Sequence, residues 1–203
     1  THQSNEIGRW FRDEGTEKIT VSSFRMAQYF AGDGWKDILV AFPVNILEIE
    51  TINQLAKDVK LSLLVESADV VEFLQEHLNS PVDAYIKVDA GLHRTGVSWD
   101  DHPAFSNILE SLGKSELTTF RGVVTHSGHS YRARSMNESA SVHNESITRM
   151  VSLKKKFIPE YPDLIISVGD TPGCSIIEDF SMVDEIRPGN YVFYDFTQSI
   201  IGS

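Results

Sequence analysis

Apolar residues fall along this chain in two rhythms. Short runs of consecutive apolar and β-branched residues predict strands near Lys18–Ser23, Asp37–Pro43, Leu61–Glu66, Ala84–Asp89, Gly122–His126, Leu164–Val168 and Tyr191–Tyr194. Between them the apolar positions recur every three or four residues, as in Ile46, Ile49, Ile52, Leu55 and Ala56, or Val70, Phe73, Leu74 and Leu78. That spacing lines one face of a helix. Further helices are predicted over Asn5–Glu14, Phe24–Asp33, Ala104–Leu112 and Glu138–Phe157. Asp69, after Ser67 and before an apolar run, puts negative charge where a helix dipole favours it.

Alternation of strand and helix is the rhythm of βα units around a parallel sheet. Runs that are apolar at consecutive positions, such as Ile38–Phe42, imply strands covered on both faces. An open doubly wound sheet and a closed (β/α)8 barrel both satisfy this. No Pro/Gly-rich linker breaks the rhythm, so one domain is expected over residues 1–203. Seven strands are one short of a barrel, and the chain opens on a helix with no strand before it. The end, "FYDFTQSIIGS", is expected to stop directly after a strand without a closing helix. Both ends thus read as truncated.

Composition narrows the function classes. Hydrophobic residues make up 41% and charged residues 23%, an ordinary globular balance. The formal charge of -11 repels phosphate backbones and argues against a nucleic-acid partner. Runs such as "DILVAF" and "LIISV" fall far short of the roughly 20 apolar residues of a membrane span, so no membrane partner is expected. A single cysteine, Cys174, excludes an internal disulfide framework, and a reducing cytoplasm is the expected address.

Chemistry in parallel α/β folds gathers at the carboxyl ends of strands. Four such ends here join glycine to polar groups: "VDAGLHRTG", "VVTHSGHSY", "ISVGDTPGC" and "IRPGNYVFYD". The "GDTPGC" and "RPGNY" turns offer backbone N–H groups, the Thr171 hydroxyl and the Asn190 amide, donors suited to an anion. Each is also ordinary turn chemistry when taken alone. Arg94 and Arg187 carry planar donor forks for a phenolate, a ring nitrogen or a carboxylate, or else pair with structural acids such as Asp89 and Glu185. His126, His129 and Tyr131 lie together, with metal ligation, acid/base catalysis and plain hydrogen bonding all open to the histidines.

Taken in order, "KVDAGLHRTG", "VVTHSGHSY", "SVGDTPGC" and "EIRPGNYVFYD" resemble the fold-type III pyridoxal-phosphate enzymes, specifically the D-threonine aldolase and D-serine dehydratase branch. The similarity runs over the whole chain and extends to the alanine racemases. It implies an α/β fold, an alanine-racemase-like (β/α)8 TIM-type barrel, here lacking its first strand and the β-rich C-terminal domain. It also implies pyridoxal 5'-phosphate, a homodimer, and a lyase acting on small D-3-hydroxy amino acids by retro-aldol cleavage or loss of water. Racemisation, or a barrel that binds the cofactor or another phosphorylated ligand without turnover, are the alternatives.

The resemblance assigns roles. Arg94 approaches the cofactor's phenolic oxygen, and Arg187 partners the pyridine nitrogen, buttressed by His126. Tyr131 contacts ring or substrate; Tyr131 and His126 are the catalytic candidates. Gly169, Asp170, Thr171, Gly189, Asn190 and Tyr191 surround the phosphate, with the Asp170 N–H inward and its carboxylate outward. In the family a lysine precedes a "TH" that Thr1–His2 match, and the chain starts after it. No other lysine falls at the matching place; Lys87, inside a strand, is expected to be structural. The segment alone is therefore expected to be inactive. The branch's divalent-metal ligands lie in the C-terminal domain, so none is assigned here.

Overall fold

The computed structural model describes residues 3–157, 159–190 and 192–202. They form two compact units, the first comprising Thr1–Tyr85 with Pro103–Phe120 and the second Ile86–His102 with Arg121–Ser203.

In the first unit, helix α1 (Asn5–Asp13) leads to strand β1 (Lys18–Val21), α2 (Phe24–Gly32), β2 (Asp37–Pro43), a 3-10 turn at Ile46–Glu48, α3 (Ile49–Asp58), β3 (Lys60–Val65) and α4 (Ala68–His77). Serines set the helix starts: Ser23 Oγ accepts the Met26 N–H at 3.2 Å and Ser67 Oγ the Val70 N–H at 3.3 Å. Such caps satisfy donors that the first turn leaves orphaned. β1 pairs parallel with β2 from Lys18↔Asp37, and β2 with β3 from Asp37↔Lys60, with an irregularity between Leu39 and Pro43. Ile38, Leu39, Leu61, Leu63 and Leu64 are fully buried, as strands covered on both faces require. Each contributes about 1.5–3 kcal/mol relative to exposure. Arg9 and Arg12 both grip Asp33, which anchors α1 to the end of α2. Helix α5 (His102–Gly113) lies almost wholly in this unit.

Strand β4 (Val82–Asp89) passes from the first unit into the second. There follow β5 (Val97–Ser98), β6 (Thr118–Thr125), a 3-10 turn at Gly128–Arg132, α6 (Met136–Phe157), β7 (Ile165–Val168), α7 (Thr171–Ile176), β8 (Glu185–Ile186) and α8 (Phe196–Ile201). β6 and β7 pair parallel from Gly122↔Ile165, and β7 and β8 from Ser167↔Glu185. A side chain at Gly122 would overlap the Ile165 carbonyl, so glycine is required where these strands meet. All the strand pairings described are parallel, and with the alternating helices they make a partial (β/α)8 barrel fold.

Three sequence expectations are corrected. The strand expected at Tyr191–Tyr194 is not one: Tyr191 lies outside the described residues, and 192–194 form a turn in which the Tyr194 N–H donates to the Asn190 carbonyl at 2.9 Å and Tyr194 takes φ 51°. Phe193 there is 63% exposed, so an aromatic run that reads as a strand is instead a surface turn. The last strand lies earlier, at β8. The chain does not end straight after a strand either, because Asp195 caps α8, accepting the Thr197 N–H at 2.9 Å and the Gln198 N–H at 3.2 Å. The third correction concerns Asp170 and belongs to the site. Among the described residues no helix is long and apolar enough to cross a membrane.

Candidate active site

Every described residue singled out in the four motifs falls in the second unit. The β4 end turns on itself. Asp89 accepts the Gly91 N–H at 2.9 Å, the His93 N–H at 3.0 Å and the His93 ring at 3.1 Å. Partial burial alone would raise the Asp89 pKa, but these donors hold it below the ordinary carboxylate value. The carboxylate thus organises its own loop, and Arg94 stands exposed beyond it. Arg149 braces the loop from α6, donating to the Ala90 carbonyl at 2.9 Å. Gly91, at φ 121°, leaves the space that this guanidinium occupies.

Beyond β6, His126 donates from Nδ1 to the Gly169 carbonyl at 2.6 Å, since a carbonyl only accepts. Its Nε2 then carries the lone pair in the neutral ring. That nitrogen faces Gly128, where a Cβ would come within 2.7 Å. Burial lowers the His126 pKa; the Gly169 bond opposes this, and the nearby charges of Arg94 and Arg187 lower it further. His126 thus lies within electrostatic reach of both Arg94 and Arg187, and burial and these charges together disfavour its protonation. His129 is shifted the same way, chiefly by burial, and its Nδ1 is buried without a hydrogen-bond partner.

Arg187 is fixed at three points. Its Nε donates to Ser167 Oγ at 2.9 Å, and one terminal nitrogen donates to the carbonyls of Thr125 at 2.5 Å and Ser167 at 3.2 Å. The guanidinium thus spans the ends of β6 and β7. Gly169 is glycine because a Cβ there would press on the Arg187 backbone and side chain.

The "GDTPG" turn is the start of α7. Asp170 caps it, its Oδ2 accepting the Gly173 N–H at 2.7 Å and the Ser130 hydroxyl at 2.8 Å. The carboxylate is buried and turned into the protein, correcting the expectation that it points outward. An Asp followed by Thr-Pro and then Gly is a helix-start signal, and capping outweighs the ligand-centred reading. The Thr171 N–H donates to Tyr131 Oη at 3.2 Å, and Thr171 Oγ1 accepts the Asn190 N–H at 2.9 Å. Tyr131, Thr171 and Asn190 are thereby brought together. Tyr191 lies outside the described residues, as do Thr1 and His2. Cys174 has its pKa pushed up to about 11, mainly by burial, and is no nucleophile.

The sequence reading passes over Ser130, Ser167 and Arg149, which hold these groups in place. Serines at strand ends carry no pattern that separates them from turn residues. Lys87 is buried in β4 and donates to the Val88 carbonyl at 3.0 Å. Among the described residues no group of three or more His, Cys, Asp or Glu side chains could hold a metal ion.

The D-serine dehydratase of Dictyostelium discoideum is 28% identical over 232 residues, covering 100% of this chain and 56% of the relative. The D-threo-3-hydroxyaspartate dehydratase of Delftia sp. (strain HT23) is 28% identical, covering 100% and 54%. Its solved structure superposes with a TM-score of 0.88 over 97% of this chain and 53% of that one, and a C353A mutant of that enzyme has been solved in a metal-free form. The D-threonine aldolase of Filomicrobium marinum, at 16% identity and a TM-score of 0.87 over 98% of this chain and 55% of that one, shares the fold. The chain thus spans about half the length of the relatives it matches. Residues 1–195 match the alanine racemase N-terminal domain, and the chain belongs to that family of fold-type III pyridoxal-phosphate proteins.

Proposed function

We propose that the protein carrying this chain is a pyridoxal-phosphate-dependent lyase that removes water from D-3-hydroxy amino acids of the D-serine or D-threo-3-hydroxyaspartate type. The observation that carries the reading is Arg187 held across the ends of β6 and β7, with His126 within electrostatic reach of both Arg187 and Arg94. Two cations suit a ligand bearing a phenolate and a ring nitrogen. The buried Asp170 carboxylate does not oppose that charge from the front, because Ser130 and Gly173 hold it inward. The donor set therefore fits the cofactor.

On this reading Arg94 holds the phenolic oxygen and Arg187 the pyridine nitrogen. A guanidinium is not deprotonated in a protein, so Arg187 would offer the ring nitrogen a hydrogen bond but no proton and would leave it unprotonated. Gly169, the Asp170 backbone, Thr171, Gly189, Asn190 and Tyr191 surround the phosphate. When bound, the cofactor supplies an electron-withdrawing ring conjugated to the substrate nitrogen. Tyr131 faces ring or substrate, and His126 offers an acceptor at Nε2 beside Arg187. A divalent metal, when bound, would polarise the substrate hydroxyl; no ligand for it is assigned among the described residues. The protein is expected to be a cytoplasmic homodimer.

The test is to add pyridoxal phosphate to the full-length protein, record the visible absorption band, and assay D-serine, D-threo-3-hydroxyaspartate and D-threonine with and without a chelator. The expected products are a 2-oxo acid and ammonia. Glycine with an aldehyde would make it an aldolase, and no visible band at saturating cofactor would end the reading.

A further inference from the structure

We propose that Ser130 and Asp170 are positioning residues: their buried hydrogen bond sets the height at which Tyr131 Oη meets the Thr171 N–H. What Tyr131 is positioned for rests on the function proposed above; the geometry does not.

Ser130 is 0% exposed and Asp170 2%. Ser130 Oγ donates to Asp170 Oδ2 at 2.8 Å, and one residue along each segment the Thr171 N–H donates to Tyr131 Oη at 3.2 Å. Two adjacent rungs therefore tie the turn after β6 to the start of α7, the inner one buried, the outer one part-buried and reaching the site. Capping alone does not explain the acid. Serine or threonine would cap α7 as well, and a buried carboxylate carries a desolvation cost that they avoid. Only a side chain that caps and also reaches Ser130 joins the two segments. The packing against it is close: a Cβ at Gly173 would lie 2.5 Å from His143 Nδ1 and 2.7 Å from Asp170 Oδ2. His143 Nδ1 stands 3.9 Å from Asp170 Oδ1, which is buried without a hydrogen-bond partner. Asparagine can replace aspartate here, its oxygen serving Gly173 and Ser130 and its NH2 filling the Oδ1 place. Alanine cannot.

The experiment uses the full-length protein without ligand, labelled with 15N-threonine, and reads amide exchange at Thr171. Tyr131→Phe removes the outer acceptor and is expected to speed exchange about 10-fold, the worth of one buried hydrogen bond. Ser130→Ala and Asp170→Ala should reproduce that acceleration, Asp170→Asn should retain wild-type exchange, and Ser130→Ala should add nothing to Tyr131→Phe. Wild-type exchange at Thr171 in Ser130→Ala or Tyr131→Phe, or effects that multiply in the double variant, would overturn the proposal. Thr20 on β1 is the folding control: equal acceleration there marks global unfolding and counts against a local role. Pyridoxal phosphate titration supplies a second readout, with affinity weakened in Ser130→Ala and not further in the double variant. If the wild type fails to bind the cofactor, the proposed function falls while the Thr171 amide still decides the positioning.

Discussion

Arg187 shows how much one side chain settles. Its guanidinium satisfies two backbone carbonyls and a hydroxyl at the strand ends, so replacing it removes a charge and leaves acceptors unpaired. Lysine keeps the charge but not the fork. Arg187→Lys is expected to weaken pyridoxal phosphate binding about 10- to 100-fold in a spectrophotometric titration, since two or three directional bonds are lost. Unchanged affinity would place the ring elsewhere. His126 gives a prediction of a different kind. Its folded pKa is lowered, chiefly by burial, while the unfolded imidazole titrates near ~6.5. The unfolded state therefore binds the proton more readily, so the stability linked to His126 is fully present above that pH and is lost as pH falls below it. Urea unfolding midpoints should drop between pH 7 and pH 5.5, and drop less steeply in His126→Asn. Identical slopes would refute the assignment.

At the scale of elements, the contacts of β6 with β7 leave no room for a side chain at Gly122. Gly122→Ala is expected to cost about 2–4 kcal/mol by forcing two paired strands apart, read as a fall in denaturation midpoint. Ser67→Ala, which removes only the α4 cap, should cost about 1 kcal/mol. A reversed order would mean that the strand ladder yields more easily than the helix cap. The same elements show what the sequence could disclose. Helix α2 was legible to within one residue, Phe24–Asp33 expected against Phe24–Gly32 observed, because the apolar rhythm is a local signal. β5 and β8 are two residues each, too short for any period to register. Val192 and Phe193 mislead by composition, since "YVFY" has strand chemistry yet Phe193 faces solvent. Arg94, His126, Tyr131, Thr171 and Arg187 could be named as candidates because polar residues interrupt apolar strand ends, and of these the structure joins Tyr131 to Thr171 by a hydrogen bond. Asp170's direction was not, because it depends on Ser130, 40 residues away.

For the molecule as a whole, the formal charge of -11 repels anions at long range, so an anionic cofactor must be held by local cations such as Arg94 and Arg187, both of which act on His126. Arg94, His126, Tyr131, Thr171, Arg187 and Asn190 all belong to the second unit. A ligand that binds the folded state alone stabilises it by about 2.7 kcal/mol at 100 times its dissociation constant. That stabilisation is felt first where the ligand's own contacts suppress local opening. Saturating pyridoxal phosphate should therefore slow amide hydrogen exchange most at 91–97, 126–131, 169–173 and 187–190, and much less at α1, β1 and α2. Raising the salt concentration should weaken the effect, because the attraction between the strand-end arginines and an anionic ligand is screened. Peptide-resolved exchange by mass spectrometry distinguishes the outcomes. Protection centred on α1, β1 and α2, or protection indifferent to salt, would show that the cofactor is held by other residues than the strand-end arginines.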